Sequence, residues 1–204
     1  MERTVVLQGG GPFSANDERD AELLRDVTGS VAILPTADAF ERPDRLVHSA
    51  EAWATRHGVV TVSCPVYVRT DALDEANATI IRNASAVWIV GDSPIHLRST
   101  VMNTPVLKAI VACPLVVAVA GSAVALCDPM VDPRGGAFAL GLGLVRGLAL
   151  VTESERWSRD RLQRTLHLAN TPVVELPTGS SLTRRNGSWR VDGPAVVHGD
   201  LPAG

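Results

Sequence analysis

The stretch Pro114-Leu-Val-Val-Ala-Val-Ala-Gly-Ser-Ala-Val-Ala-Leu-Cys-Asp-Pro-Met130 decides how the chain is read. Its first part is an apolar run rich in valine, the pattern of a strand buried on both faces of a parallel sheet. The run breaks at Gly121-Ser122 and resumes with small residues at a spacing that suits a helix. In open parallel sheets, ligands and chemistry collect where strands end. A serine on such a break has two readings. It is a nucleophile elbow, in which a sharp turn lifts the hydroxyl off the sheet and backbone N–H groups hold an oxyanion. Alternatively it is a helix N-cap, a position serine often fills.

Working outward from this stretch, strand and helix patterns alternate. Thr4–Gln8 is a strand that runs into Gly9-Gly-Gly-Pro12, and Asn16 or Asp17 caps a helix carrying Ala21, Leu24 and Val27, with Gly29 past its end. Ser30–Pro35 is the next strand. Pro43 opens a helix with Leu46, Val47, Ala50, Trp53 and Ala54 on one face, stopped at His57-Gly58, and Val59–Cys64 is a strand. A helix over Asp74–Arg82 precedes a strand over Ala86–Val90 that closes on Gly91-Asp92-Ser93. Pro94–Ala112 divides into two helices at Thr104-Pro105, since proline suits a first helical turn. Beyond Asp128 come a loop, a Gly-rich strand candidate at Leu140–Val145, a basic helix at Arg159–Leu168 and short strands. Asn186-Gly187 marks a hairpin, because a type I′ turn needs positive φ at both centres. Alternation at this spacing predicts a three-layer α/β sandwich: a mostly parallel, doubly wound sheet flanked by helices, ending in a β-hairpin. Residues 1–204 read as one domain.

Composition removes several classes of function. Of 204 residues 46% are hydrophobic and only 4% aromatic, so the core must be built of Val, Leu and Ala. A net charge of −3 argues against nucleic acid or an anionic membrane as partner, and no arginine cluster is interleaved with aromatics as single-stranded nucleic acid requires. The N-terminus lacks the apolar core of a signal peptide and no stretch is long enough to span a bilayer, which predicts a cytoplasmic protein. Cys64, Cys113 and Cys127 are odd in number and far apart, as expected of reduced, buried thiols. No His, Cys or Asp cluster has ligand spacing, so no metal is expected.

Four stretches, taken in order, resemble the cyanophycinase and aspartyl dipeptidase (peptidase E) family, whose fold is that of the class I glutamine amidotransferases. They are Gly9-Gly-Gly11 with Ile33–Ala37, Val90-Gly-Asp-Ser93 followed by Thr104–Leu107, Gly121-Ser122-Ala123 with Asp128-Pro-Met130 and Gly141–Leu144, and Arg159-x-Arg161-x-x-Arg164. The resemblance implies a serine-type hydrolase of small acidic peptides or related amides that needs no cofactor. It makes Ser122 the nucleophile, Gly91 and Ala123 the oxyanion donors and Asp128 the acidic partner, with Asp92 a substrate-binding candidate in the matching loop; Arg159 and Arg161 either hold a substrate carboxylate or form a solvated helix face or an internal ion-pair set. Dimerisation is compatible with the resemblance alone.

The departures from the family pattern concern the chemistry itself. A serine hydroxyl attacks only when a base removes its proton. Counted back from the arginine helix, the family's histidine position falls on Glu155, or on Arg156 with one deletion. Among the five histidines, His96 is the one that follows the Gly91-Asp92-Ser93 loop, and it and Glu155 are the candidate replacements. Val124 stands where the family favours glycine, and Val90 replaces the first glycine of its loop. The alternative expectation is therefore an inactive homologue that binds a ligand or a partner.

Overall fold

The computed structural model describes residues 3–203. Its centre is a seven-stranded sheet. The five parallel strands are β1 (Thr4–Gln8), β2 (Val31–Leu34), β3 (Thr61–Ser63), β4 (Ala86–Ile89) and β5 (Leu115–Val119). They lie in the order β1-β5-β4-β2-β3. Between the strands run α1 (Asp17–Leu24), α2 (Pro43–His57), α3 (Arg69–Leu73), α4 (Glu75–Asn83), α5 (Pro94–Val101) and α6 (Pro105–Ala112). The helix α7 (Gly121–Leu126) follows β5 directly.

Alternation along each central strand divides the core into two layers, because successive side chains leave a strand on opposite faces. Val5, Leu7, Ala32, Leu34, Val87, Ile89, Val116 and Ala118 belong to one buried cluster. Val6, Val31, Ile33, Trp88, Val117 and Val119 belong to the other, with Trp53 from α2. Trp53 and Trp88 are fully buried with ring centroids 5.0 Å apart, so both are packing residues.

Local chemistry marks most element ends where the sequence puts them. α2 runs from Pro43 to His57 and stops at Gly58, whose φ of 67° lies in the left-handed region. Asp74 accepts a hydrogen bond from the Ala76 N–H and Thr104 one from the Leu107 N–H, capping α4 and α6. α1 is shorter than expected, ending at Leu24, and α3 has no counterpart in the periodicity reading because one and a half turns carry too few apolar positions.

After α7 come four two-residue strands: β6 (Cys127–Asp128), β7 (Met130–Val131), β8 (Phe138–Ala139) and β9 (Val145–Arg146). Leu140–Leu144 is irregular, and only Val145 of the expected Gly-rich strand is paired. β10 (Ala149–Thr152) leads through α8 (Arg159–Leu168) to β11 (Val173–Leu176), which pairs with β10 and with β14 (Val196–His198) in a second sheet. β12 (Ser181–Arg185) and β13 (Ser188–Asp192) form the expected hairpin on Asn186-Gly187, with φ of 52° and 71°. It extends the main sheet by antiparallel pairing of β12 with β1. The second sheet shares the larger buried cluster with the first through Leu150, Val151, Val173 and Val174.

Candidate active-site cleft

Strand register brings the ends of β1, β5, β4 and β2 into one row. Gln8 faces Val119, Ala118 faces Ile89, and Ile89 faces Leu34. The residues that follow are the Gly9-Gly10-Gly11 turn, Ala120, Val90-Gly91-Asp92 and Pro35, so three loops named by the sequence reading meet around the start of α7.

Their approach is close enough to dictate glycine. A Cβ on Gly121 would lie 2.3 Å from the Asp92 carbonyl oxygen and 2.4 Å from its carbonyl carbon. Gly91 has a φ of 117°, and a Cβ there would lie 2.5 Å from the Asp38 nitrogen. The backbones of Ala37–Asp38, Gly91–Asp92 and Gly121 are thus stacked in contact.

The sharp turn between β5 and α7 falls on Ala120, with φ 55° and ψ −127°. That conformation is sterically costly for a residue with a Cβ, by about 1–3 kcal/mol. It is the strained strand-to-helix position that an elbow nucleophile occupies. Here the neighbours hold it: the Ala120 N–H donates to the Gln8 carbonyl at 3.0 Å, and the Ala120 carbonyl accepts from the Ala123 and Val124 N–H groups.

Ser122 is therefore neither elbow nor cap. It is the second residue of α7 and fully buried, and its N–H and hydroxyl both donate to the Gly91 carbonyl, at 3.0 and 3.2 Å. The expected nucleophile is instead a brace between two loops. Ala123 is not an oxyanion donor, since its N–H is spent on Ala120. The residue after the turn is Gly121, whose N–H opens α7 and has no intrahelical carbonyl to bond. Gly91 contributes its carbonyl rather than its N–H to the contact with α7.

The remaining expected residues divide between the cleft and elsewhere. A cavity of about 190 Å³ opens beside Gly121, lined by Asp92, Val124, Val131, Pro133, Leu150, Thr152, Glu153, Arg156, Trp157 and Arg161. Asp92 and Arg161 line it. Asp128, Glu155, His96 and Arg159 do not line it. Asp128 accepts the Gly141 N–H at 3.1 Å and holds the irregular segment after β8. His96 donates from Nε2 to the Tyr67 carbonyl at 2.8 Å, and its ring lies against Phe40. Arg159 is exposed at the start of α8. Glu155 is exposed and accepts from the Thr178 hydroxyl at 2.5 Å and from the Thr178 N–H at 3.3 Å. Burial alone would raise its carboxyl, but these hydrogen bonds outweigh it and the net shift is downward, the wrong direction for a base near neutral pH.

Glu153, two residues earlier, is the carboxylate the sequence reading missed. It follows β10 with a φ of 47°, donates its N–H to the Gly9 carbonyl, and pairs with Arg156 at 2.9 Å. Desolvation pushes its carboxyl up, and the neighbouring Asp92 adds to the effect while Arg156 opposes it. Asp92 is raised likewise by desolvation, against the pull of Arg156 and with a further push from Glu41. No motif announced Glu153. Counting from the arginine helix fixes a distance along the chain but not the irregular turn between β10 and α8.

Cys127 is fully buried and burial pushes its thiol far up, which makes it a packing residue. Among the described residues no group of three or more His, Cys, Asp or Glu side chains is arranged to hold a metal ion, and no helix is long and apolar enough to cross a membrane.

The mostly parallel sheet flanked by helices is the fold of solved peptidase E-type structures. Two solved structures carry the comparison. A peptidase from an acI-B1 Actinobacterium superposes with a TM-score of 0.84 over 100% of this chain and 97% of its own, at 20% sequence identity. A protein assigned as peptidase E from Listeria monocytogenes EGD-e superposes with a TM-score of 0.73 over 94% of this chain and 98% of its own, at 14% identity. No protein-family model and no curated protein matches the sequence.

Proposed function

We propose that this chain uses a peptidase E-like cleft to bind a small ligand without forming a covalent serine intermediate. One observation carries the reading: the residue on the strained turn is Ala120, whose methyl group has no lone pair with which to attack a carbonyl. The nearest serine, Ser122, has its hydroxyl buried against the Gly91 carbonyl. A general base beside it would have nothing to activate, and no histidine lines the cavity.

The test is mass spectrometry of purified protein after treatment with a fluorophosphonate, alongside a hydrolysis assay with an L-aspartyl p-nitroanilide. The expected result is an unmodified protein and no p-nitroaniline release above the buffer rate. An adduct on Ser122 that disappears in Ser122→Ala overturns the reading.

A second reading rests on the raised carboxyls of Asp92 and Glu153, which give the cleft groups able to take a proton from water. In that case hydrolysis proceeds without an adduct, and the rate falls as pH drops through the raised Glu153 value. Glu153→Gln then abolishes it.

A further inference from the structure

The cleft holds two charges of opposite sign that the protein leaves unpaired. The carboxylate of Asp92 accepts no hydrogen bond among the described residues, and the charges acting on it, Arg156 and Glu41, act only through space. The guanidinium of Arg161 is held in place on two sides. Its Nη1 donates to the Pro133 carbonyl at 3.0 Å, and its central carbon lies 3.8 Å over the Trp157 ring. Its Nε is buried and has no partner. Both side chains line the same cavity. The other two charges of the lining, Glu153 and Arg156, already satisfy each other.

We infer that the ligand of this cleft is a zwitterion of single-amino-acid size, with its ammonium on Asp92 and its carboxylate on Arg161. The inference rests on the binding role proposed above and names the chemistry of the ligand. A guanidinium pinned by a backbone carbonyl and an aromatic face presents its remaining donors in a fixed plane, the geometry that recognises a carboxylate. A ligand bearing only that carboxylate would close over Asp92 and leave it unpaired. One bearing only an amine would do the same to Arg161. Burying an unpaired charge costs more than pairing it recovers, so the site discriminates for a ligand carrying both.

Size follows from the cavity. At about 190 Å³ the cavity falls below the range of pockets that enclose drug-sized ligands. A free amino acid fits, whereas a longer peptide must extend into solvent. Val124, Val131 and Leu150 give the carbon skeleton an apolar wall.

The experiment is isothermal titration of the full chain with glycine, 4-aminobutanoate, 6-aminohexanoate, L-leucine and L-arginine. Butylamine and butanoate serve as controls with one charge each. The series varies the separation of ammonium and carboxylate, so the best binder reports the span of the site. At least one zwitterion should bind about tenfold or more tightly than either control, and Asp92→Asn should remove about that factor. Asp92 is exposed and unbonded, so this variant tests the contact without disturbing the fold. Arg161→Lys, which keeps the charge and loses the planar fork, should weaken binding of the same ligand. The inference is overturned if a control binds as tightly as every zwitterion, if Asp92→Asn leaves affinity unchanged, or if no zwitterion binds. A fluorophosphonate adduct on Ser122 would defeat the binding role itself, whatever the amino acids do. An unlabelled protein that binds no amino acid would defeat this inference alone.

Discussion

Two strands of this molecule end in the same unusual way beside one cleft. Ala120 follows β5 with a φ of 55°, and Glu153 follows β10 with a φ of 47°, both outside the range that a side chain favours. At Ala120 the strain is held by hydrogen bonds from β1 and α7, and the side chain has no chemistry. At Glu153 the strain is held by the bond to Gly9, and the side chain puts a raised carboxylate into the cavity. Strained backbone persists only where the surroundings over-determine it. Here those surroundings are the hydrogen bonds with Gln8, Ala123 and Val124 at one residue and the bond to Gly9 at the other. The turn after β5 thus has the shape of an elbow although its side chain is a methyl group, while the side chain on the other strained residue is a carboxylate that lines the cavity.

The largest test of this contrast is Gly121→Ala. The added Cβ would meet the Asp92 backbone at 2.3 Å, an overlap that no side-chain rotation relieves. A loss of about 3 kcal/mol or more is expected in urea unfolding. A neutral result would show that the stacked loops yield easily and that Ala120 is not held by them.

The next concerns what braces Ala120. Its partner Gln8 donates from Nε2 to the buried Asp20 carboxylate at 2.7 Å, and Trp53 donates to the other oxygen at 3.1 Å. Desolvation pushes Asp20 up to about 6, against those hydrogen bonds and the nearby His57, with Asp17 adding a further push. Because the folded value exceeds the unfolded one, the native state binds the proton more tightly. This contribution is fully present below pH ~4 and is lost as pH rises through about 6. A shift of that size corresponds to about 3 kcal/mol, read as a rise in this group's share of stability between pH 7 and pH 4. Comparing Asp20→Asn with the wild type isolates it, since the variant should lack that portion of the slope. Identical slopes would show that Asp20 does not titrate against the fold.

The smallest effect compares the two strained residues directly. Ala120→Gly relieves the φ at one turn and should leave stability within about 1 kcal/mol, strain relief being offset by the greater freedom of glycine when unfolded. Glu153→Gly relieves the same strain at the other turn but also frees Arg156. It should abolish the raised carboxylate titration that NMR would follow in the cleft, while Ala120→Gly leaves that titration in place. If Ala120→Gly also shifted it, the two turns would be coupled and the contrast between them would fail.

The parts of the site legible in the sequence are those with local causes. The Gly91-Asp92 loop and Arg161, both singled out in the sequence, line or border the cavity. Gly121 was expected at the break and stands beside the turn. The serine was misplaced by two residues because Gly-Ser-Ala carries the appearance of an elbow on its own. Only pairing of Gln8 with Val119 shows that β5 ends before Ala120. Glu155 was chosen by counting along the chain, and the short turn after β10 carries it to solvent while Glu153 takes the cleft.

What the sequence determined by itself was the order and type of the major elements. Valine-rich runs, helix caps, proline at first turns and Asn186-Gly187 act within a few residues, so their consequences do not wait for the fold. What only the tertiary structure decided was which residue stands on the strained turn and which carboxylate faces the cavity. Those outcomes depend on strand register and on backbones from distant parts of the chain packing too closely to admit a Cβ between them. No local pattern records a distance between residues as far apart as Gln8, Asp92, Gly121 and Glu153.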